Sequence, residues 1–337
     1  MFVLAPSNPD QLSDRAGWFK KPIARKLAQE KGVEFGFELK GTPEKITKAP
    51  PLFWGYHLPD DLASEWYYHP ENRVSLLSHI SHLSKLNPHY LVIHGIHLWR
   101  RESAQKYLHR YQNRSTPAEY LKVLEANVEL LRDLKKIFGQ RLKIENYPLY
   151  MYYQKDGRYI PETYLYTGSG RLNDLLYICQ KAKVGIVLDL EHLILTLNFL
   201  NRKKNYSQIP VEKKDKLTSE EKKLQKIFGF NLAKNSYPYA DLPIDIKDFI
   251  KKAGAKIYHL TGSTQDVIPG KKVVTHAPIK SNDKIFRKHL RMVLAQKPEV
   301  LVLESASSTD NPAWSYLRPN ETELSFYNLC QILLEEL

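Results

Sequence analysis

Cysteine is nearly absent from this chain: two residues, Cys179 and Cys330, in 337. A chain of this length buries a core without covalent staples, so a disulfide framework is excluded. Both cysteines lie in apolar helical patterns and read as reduced thiols. Long apolar runs are missing too. Nothing approaches the roughly 20 residues needed to span a bilayer, and MFVLAPSNPD has only a short apolar start with no basic segment before it. The expectation is a soluble, cytoplasmic protein without a membrane partner. Acidic residues are in deficit, 37 against 50 Lys and Arg, for a net charge of +13. That balance favours phosphate-bearing partners, nucleic acid or a phosphorylated sugar; a lysine-rich solubilising surface is the plainer alternative. No internal repeat or low-complexity tract stands out.

What is present is an alternation. Short apolar, β-branched runs occur at 2–6, 33–39, 52–57, 90–95, 142–146, 184–189, 256–260 and 300–304. Helical patterns separate them, one over 9–31 and a better specified one over 117–138. Ser115 and Thr116 cap the latter, Pro117 opens it, and Glu119 and Glu125 suit its N-terminal half. Val123, Ala126, Val128, Leu130, Leu131 and Leu134 form its apolar face, and Gly139 ends it. Alternating β and α units predict a parallel sheet, and eight of them predict an α/β fold of the (β/α)8 TIM-barrel type, one domain over 1–337. One connection breaks the rhythm. About 65 residues separate the sixth and seventh strands, where about 30 suffice for a helix and two turns. Its lysine-rich middle, 198–245, reads as an insertion on the loop side, a basic lid or a solvated excursion, with a short helix over 219–228 capped by Thr218 or Ser219.

Barrel chemistry sits at the C-terminal ends of the strands. There the third strand delivers His57, the fourth His94, the fifth Glu145, the sixth Asp189 and His192, the seventh His259 with His276 in the loop beyond, and the eighth Glu304. A lone buried histidine is usually a satisfied core residue, and a lone carboxylate at a strand end is commonly a helix cap. So many converging groups are not explained that way. Glu145, Asp189 and Glu304 repel one another in a poorly hydrated pocket unless cations lie between them. Imidazole with carboxylate suits Zn, Mn or Fe better than Mg or Ca. His69, His79, His82, His89, His109 and His289 lie away from strand ends and read as structural. Trp54, Tyr56, Trp99 and Tyr147 are candidates to stack on bases or sugars, with packing as the alternative. His97 reads as a mouth residue or a solvated one, and Arg100 and Arg101 as phosphate contacts.

Four short motifs carry a family resemblance: I-E-N at 144–146, D-x-x-H at Asp189 and His192, H-L-T at 259–261 and L-E-S at 303–305. In this order they resemble the xylose-isomerase-like barrel superfamily, which includes sugar isomerases and epimerases, endonuclease IV and the UV-damage endonucleases. In its single-metal isomerases the resemblance implies Glu145, Asp189, His259 and Glu304 as ligands, with Glu145 and Glu304 as the acid/base pair. His57, His94 and His276 match additions of the nuclease branch, which implies two or three divalent ions, Zn or Mn. Glu145 would bridge two of them. His94 would share one with Glu145; Asp189, His259 and Glu304 would hold the other; His192 and His276 could hold a third, with His57 in support. The chain departs from endonuclease IV at Val274, where that family has an aspartate, and on its first strand, which lacks a histidine. It departs from the UV-damage enzymes at Ile257, where they have a lysine. The expectation is a metal-dependent phosphodiester hydrolase acting on nucleic acid, an endonuclease of DNA repair. A one-metal sugar or sugar-phosphate isomerase or epimerase is the alternative, and a catalytically silent barrel that binds nucleic acid through its insertion is a third.

Overall fold

The computed structural model describes residues 1–8, 16–40, 46, 48–59, 62–96, 117–147, 150–155, 158–163, 172–194, 218–228, 245–262, 276–304 and 319–337. The eight predicted runs all form strands: β1 Val3–Asn8, β2 Glu34–Lys40, β3 Phe53–His57, β4 Tyr90–His94, β5 Leu142–Glu145, then, after a hairpin of β6 Tyr150–Lys155 and β7 Arg158–Thr163, β8 Gly185–Asp189, β9 Ile257–Leu260 and β10 Val300–Leu303. They close in the order β1-β10-β9-β8-β5-β4-β3-β2, every pair parallel, while β6 and β7 pair only with each other. This is a (β/α)8 barrel. The hairpin was not foreseen; its side of β5 is where barrel loops carry function.

Helices α1 Pro22–Lys31, α2 Leu62–Tyr68, α3 Arg73–Leu86, α4 Pro117–Phe138, α5 Leu172–Ala182, α6 Ser219–Phe228, α7 Ile246–Ala253, α8 Lys284–Leu294 and α9 Pro319–Glu336 accompany the strands. None is long and apolar enough to cross a membrane. The helix expected over 9–31 is shorter in the structure. A 3-10 turn, Trp18–Lys20, precedes Lys21 in extended backbone, and Pro22 starts the helix. Proline is pre-set for a first helical turn and pushes the residue before it out of the helical region. α4 has the predicted bounds, its six predicted apolar positions are buried, and Gly139 follows it at φ +61°. The caps expected at Ser115 and Thr116 lie outside the described residues.

The segment read as an insertion contributes α6 at its predicted bounds, packed against α4 and α5 and tied to α4 by an ion pair from Lys223 to Glu125. The remainder of 198–245, apart from Thr218 and Asp245, lies outside the described residues.

Side chains on a strand alternate between two faces, and here the faces have different neighbours. One set, including Leu4, Phe37, Trp54, Tyr56, Leu91, Ile93, Ile144, Leu188 and Leu301, packs with the helices in the larger core. The other, Val3, Ala5, Tyr90, Val92, Val187, Ile257, Val300 and Val302 with Phe53 beside them, fills the lower barrel interior. Gly55 lies within that interior set, and a Cβ there would stand 2.0 Å from Cζ of Tyr90. The glycine makes room for the ring, which crosses the barrel to reach the layer above.

Candidate metal centre

Continuing each inward-facing set toward the C-terminal ends of the strands gives Ser7, Glu38, His57, His94, Glu145, Asp189, His259 and Glu304, all buried. Strand pairing fixes their level: His94 pairs with Glu145 and Asp189 with His259. The apolar interior thus changes abruptly into an ionisable layer.

Glu145 is its centre. Its Oε2 lies 2.8 Å from Nε2 of His57 and 3.3 Å from Nε2 of His94. Its Oε1 lies 3.4 Å from Nδ1 of His259 and 3.3 Å from Nδ1 of His192. Nδ1 of His259 is also 3.1 Å from Glu304 Oε2 and 3.9 Å from Asp189 Oδ2. Two groups of side chains could therefore each hold a cation, His57 with His94 and Glu145, and Glu145 with Asp189, His259 and Glu304; in each, the donor atoms lie within 4.8 Å of one another. Glu145 belongs to both.

Hydrogen bonds outside these groups aim the donors. Nδ1 of His57 is 2.6 Å from the carbonyl oxygen of Leu58, which only accepts, so Nδ1 carries the proton and Nε2 presents a lone pair to the Glu145 carboxylate. Two acceptors facing each other at 2.8 Å require a cation or a further proton between them. His259 is held likewise: Nε2 lies 3.0 Å from Glu38 Oε2, leaving Nδ1 for the site. Tyr90 donates its hydroxyl to the same Glu38 oxygen at 3.0 Å. A carboxylate behind a ligating imidazole fixes its tautomer and raises its basicity.

The D-x-x-H motif is built by local bonds. Asp189 Oδ1 accepts from the backbone N–H of His192 at 2.8 Å, capping a helical turn that follows β8. Its Oδ2 is left for the site and, like Oε1 of Glu145, is buried without a hydrogen-bond partner among the described residues. The side chain of Asn146 donates to the Asp189 carbonyl at 3.0 Å and accepts from its N–H at 2.7 Å. The Asn146 carbonyl also accepts from Nδ1 of His192 at 2.8 Å. The asparagine of I-E-N thus joins the ends of β5 and β8.

The electrostatics of the metal-free layer carry the same message. Burial pushes Glu145 up, yet His259 and His94 hold it well below the usual carboxylate range. Burial pulls His259 down, but Glu38 and Glu145 raise it to about 10. Burial also works on Glu38, and His259 brings it below its ordinary value. His57 is lowered by burial and by Lys40. Protons on imidazole thus hold the carboxylates together where divalent ions could. The residues fit such ions: mixed imidazole and carboxylate, with unpartnered buried oxygens aimed inward.

Other expectations meet the geometry differently. His192 and His276 do not join a three-ligand group among the described residues. His276 instead stands at φ +52°, a conformation uncommon for a residue other than glycine. Glu191 holds it there, accepting its backbone N–H at 2.6 Å and lying 3.3 Å from its Nδ1, while Nε2 is 3.7 Å from Glu304 Oε1. Burial, then Asp189, pushes the Glu191 carboxyl well above the usual range. Tyr147 is at the layer, its ring edge-on to His94 at 4.5 Å between centroids. Trp54 and Tyr56 are not: their strand positions have the opposite parity to His57, so they face the helices and cannot stack on a substrate. His97, Trp99, Arg100 and Arg101 lie outside the described residues.

Glu38, Lys40, Glu191 and Tyr90 were missed. Glu38 and Lys40 had a signal, since both share parity in E-F-G-F-E-L-K and Glu38 interrupts an apolar strand. Lys40 reaches across the mouth to an ion pair with Glu304 Oε1.

No protein-family model matches the sequence, and no curated protein matches it. Solved structures resemble it in fold. Endonuclease IV from Thermus thermophilus is 14% identical over 99% of this chain and 99% of that one, with a TM-score of 0.47. A xylose isomerase domain containing protein from Salmonella typhimurium is 11% identical over 98% and 97%, with a TM-score of 0.48. The 3-keto-D-glucoside 4-epimerase from E. coli is 13% identical over 98% and 100%, with a TM-score of 0.43. The assignment of the barrel rests on the strand pairing of this chain itself.

Proposed function

We propose that this barrel is a cytoplasmic, metal-dependent phosphodiester hydrolase acting on nucleic acid, with two divalent ions, Zn or Mn, sharing Glu145. The carrying observation is that sharing: one buried carboxylate offers Oε2 to His57 and His94 and Oε1 to the group of Asp189, His259 and Glu304. The net charge of +13 supports an anionic substrate. Bound divalent ions supply Lewis acidity, acidifying water near neutral pH and neutralising charge on phosphoryl oxygens. The chain's own residues do the rest. His57, Asp189 and His259 are fixed by the backbone and side-chain bonds described above, so these three are oriented before substrate arrives. Glu304, at the rim of the layer, orients the attacking water and takes its proton. The apolar floor below Glu38 excludes bulk water from beneath.

The test is cleavage of abasic and UV-irradiated duplexes by the purified protein with Zn²⁺ or Mn²⁺. Glu145→Gln and Asp189→Asn should each abolish metal-dependent cleavage; unchanged cleavage contradicts the reading. One observation favours a second reading. The group of Glu145, Asp189, His259 and Glu304 is complete by itself, as a one-metal sugar or sugar-phosphate isomerase or epimerase needs. That reading predicts one equivalent of metal and proton exchange at a carbon next to a carbonyl.

A further inference from the structure

The two oxygens of Glu304 face different surroundings. Oε2 lies 3.1 Å from His259, within the four-residue group. Oε1 is paired with Lys40 and lies 3.7 Å from Nε2 of His276. Lys40 is the last residue of β2, opposite His57 in the register and two positions beyond Glu38 on the same face. Its side chain keeps a quarter of its surface exposed, while the candidate ligands it overlooks are nearly sealed. The ammonium thus stands between the buried layer and solvent.

Resting on the hydrolase reading, we infer that Lys40 is the residue through which this site recognises a phosphate-bearing substrate, its ammonium taking the place of a third divalent ion beside Glu304 and His276. Three features of the site support it. Glu304 Oε1 has a monovalent partner supplied by the chain itself. His276, held by Glu191, is aimed at the same oxygen but joins no three-ligand group among the described residues. An ammonium has three donors, so Lys40 can keep Glu304 and still donate to a phosphoryl oxygen. Once divalent ions neutralise the carboxylates, its charge is available to an anion.

The experiment uses full-length protein loaded with Mn²⁺ or Zn²⁺ and freed of excess metal. Inorganic phosphate is titrated calorimetrically into the wild type, Lys40→Gln and Lys40→Arg, with elemental analysis and thermal unfolding on each. Glutamine removes the charge and keeps an amide donor on a side chain one atom shorter; arginine restores the charge. The expected result is phosphate affinity reduced about ten-fold or more in Lys40→Gln and largely restored in Lys40→Arg, with two equivalents of metal throughout. Undiminished affinity in Lys40→Gln, or a third equivalent of metal in the wild type, overturns the inference. Lys40-dependent phosphate binding in a protein that cleaves no diester would refute the hydrolase reading and leave this one standing. Metal-dependent cleavage with phosphate affinity indifferent to Lys40 would do the reverse.

Discussion

The lower and upper halves of the barrel interior are made by the same strands, with the same pleat and register, and could hardly differ more. Below, Val3, Ala5, Val92, Val187, Ile257, Val300 and Val302 pack as an ordinary apolar core. One residue further along the same face of each strand, Ser7, His94, Asp189, His259 and Glu304 take over. The lower half is satisfied by contact alone. The upper half is not: Glu145 Oε1, Asp189 Oδ2 and Glu38 Oε1 are buried without a hydrogen-bond partner among the described residues. Unpaired buried oxygens, costing on the order of 1–3 kcal/mol each, are retained when something else meets them. Tyr90 connects the halves, its ring packed over Gly55 in the apolar layer and its hydroxyl on Glu38 in the polar one. Burial and then Glu38 push its own ionisation well above the usual range, so it stays a neutral donor.

Several substitutions break or sharpen this contrast, in falling order of their effect on metal binding. Glu145→Gln removes the shared ligand and should weaken uptake at both groups by more than about 100-fold, beyond what loss of a supporting residue does; elemental analysis after dialysis reads it. Glu38→Gln touches no candidate ion. It should cost roughly 10–100-fold in affinity at the group containing His259, leaving the His57 and His94 group unchanged. In the wild type, metal should displace a proton from His259, whose pKa of about 10 keeps it protonated at neutral pH in the metal-free protein. Calorimetry in buffers of different ionisation enthalpy measures that release, and none is expected above about pH 10. Val187→Ala, in the lower half, should lower stability by on the order of 2 kcal/mol and leave metal stoichiometry untouched; denaturant unfolding with elemental analysis checks both.

The metal-free protein has its own pH signature. His259 is raised from 6.5, so its contribution to stability is full below about pH 6.5 and is lost as pH rises through about 10. Glu38 and Glu145 are lowered from 4.5, so theirs is present above about pH 4.5 and is lost as pH falls through their depressed values. Stability of the metal-free protein should therefore decline on both flanks, and bound metal should flatten the alkaline one. Denaturant melts against pH, with and without chelator, show whether it does.

Much of this was legible in the chain. The barrel strands announce themselves as continuous β-branched runs, because parallel strands are covered on both faces. The strand-end histidines and carboxylates follow from the same reading: a single one, like Asp189, can be a helix cap, but so many at one level of a barrel need a further cause. What stayed hidden depends on parity and on long-range partners. Trp54 and Tyr56 look close to the mouth in sequence, but each lies on the other face of the strand from His57. Glu38 went unremarked because its partner, His259, lies 221 residues away in the chain. Glu191 sat unremarked inside D-x-x-H because its partner, His276, comes from the loop after β9. The helix Ser219–Phe228 was legible in extent, but its ion pair with Glu125, a long-range contact, was not.

The most direct measurement is anomalous diffraction from crystals of the full chain equilibrated with Mn²⁺ or Zn²⁺. The account predicts two peaks at the mouth of the barrel, one contacted by His57 and His94, the other by Asp189, His259 and Glu304, with Glu145 touching both. A mouth without peaks, or a single ion that leaves His57 and His94 uncoordinated, would contradict it.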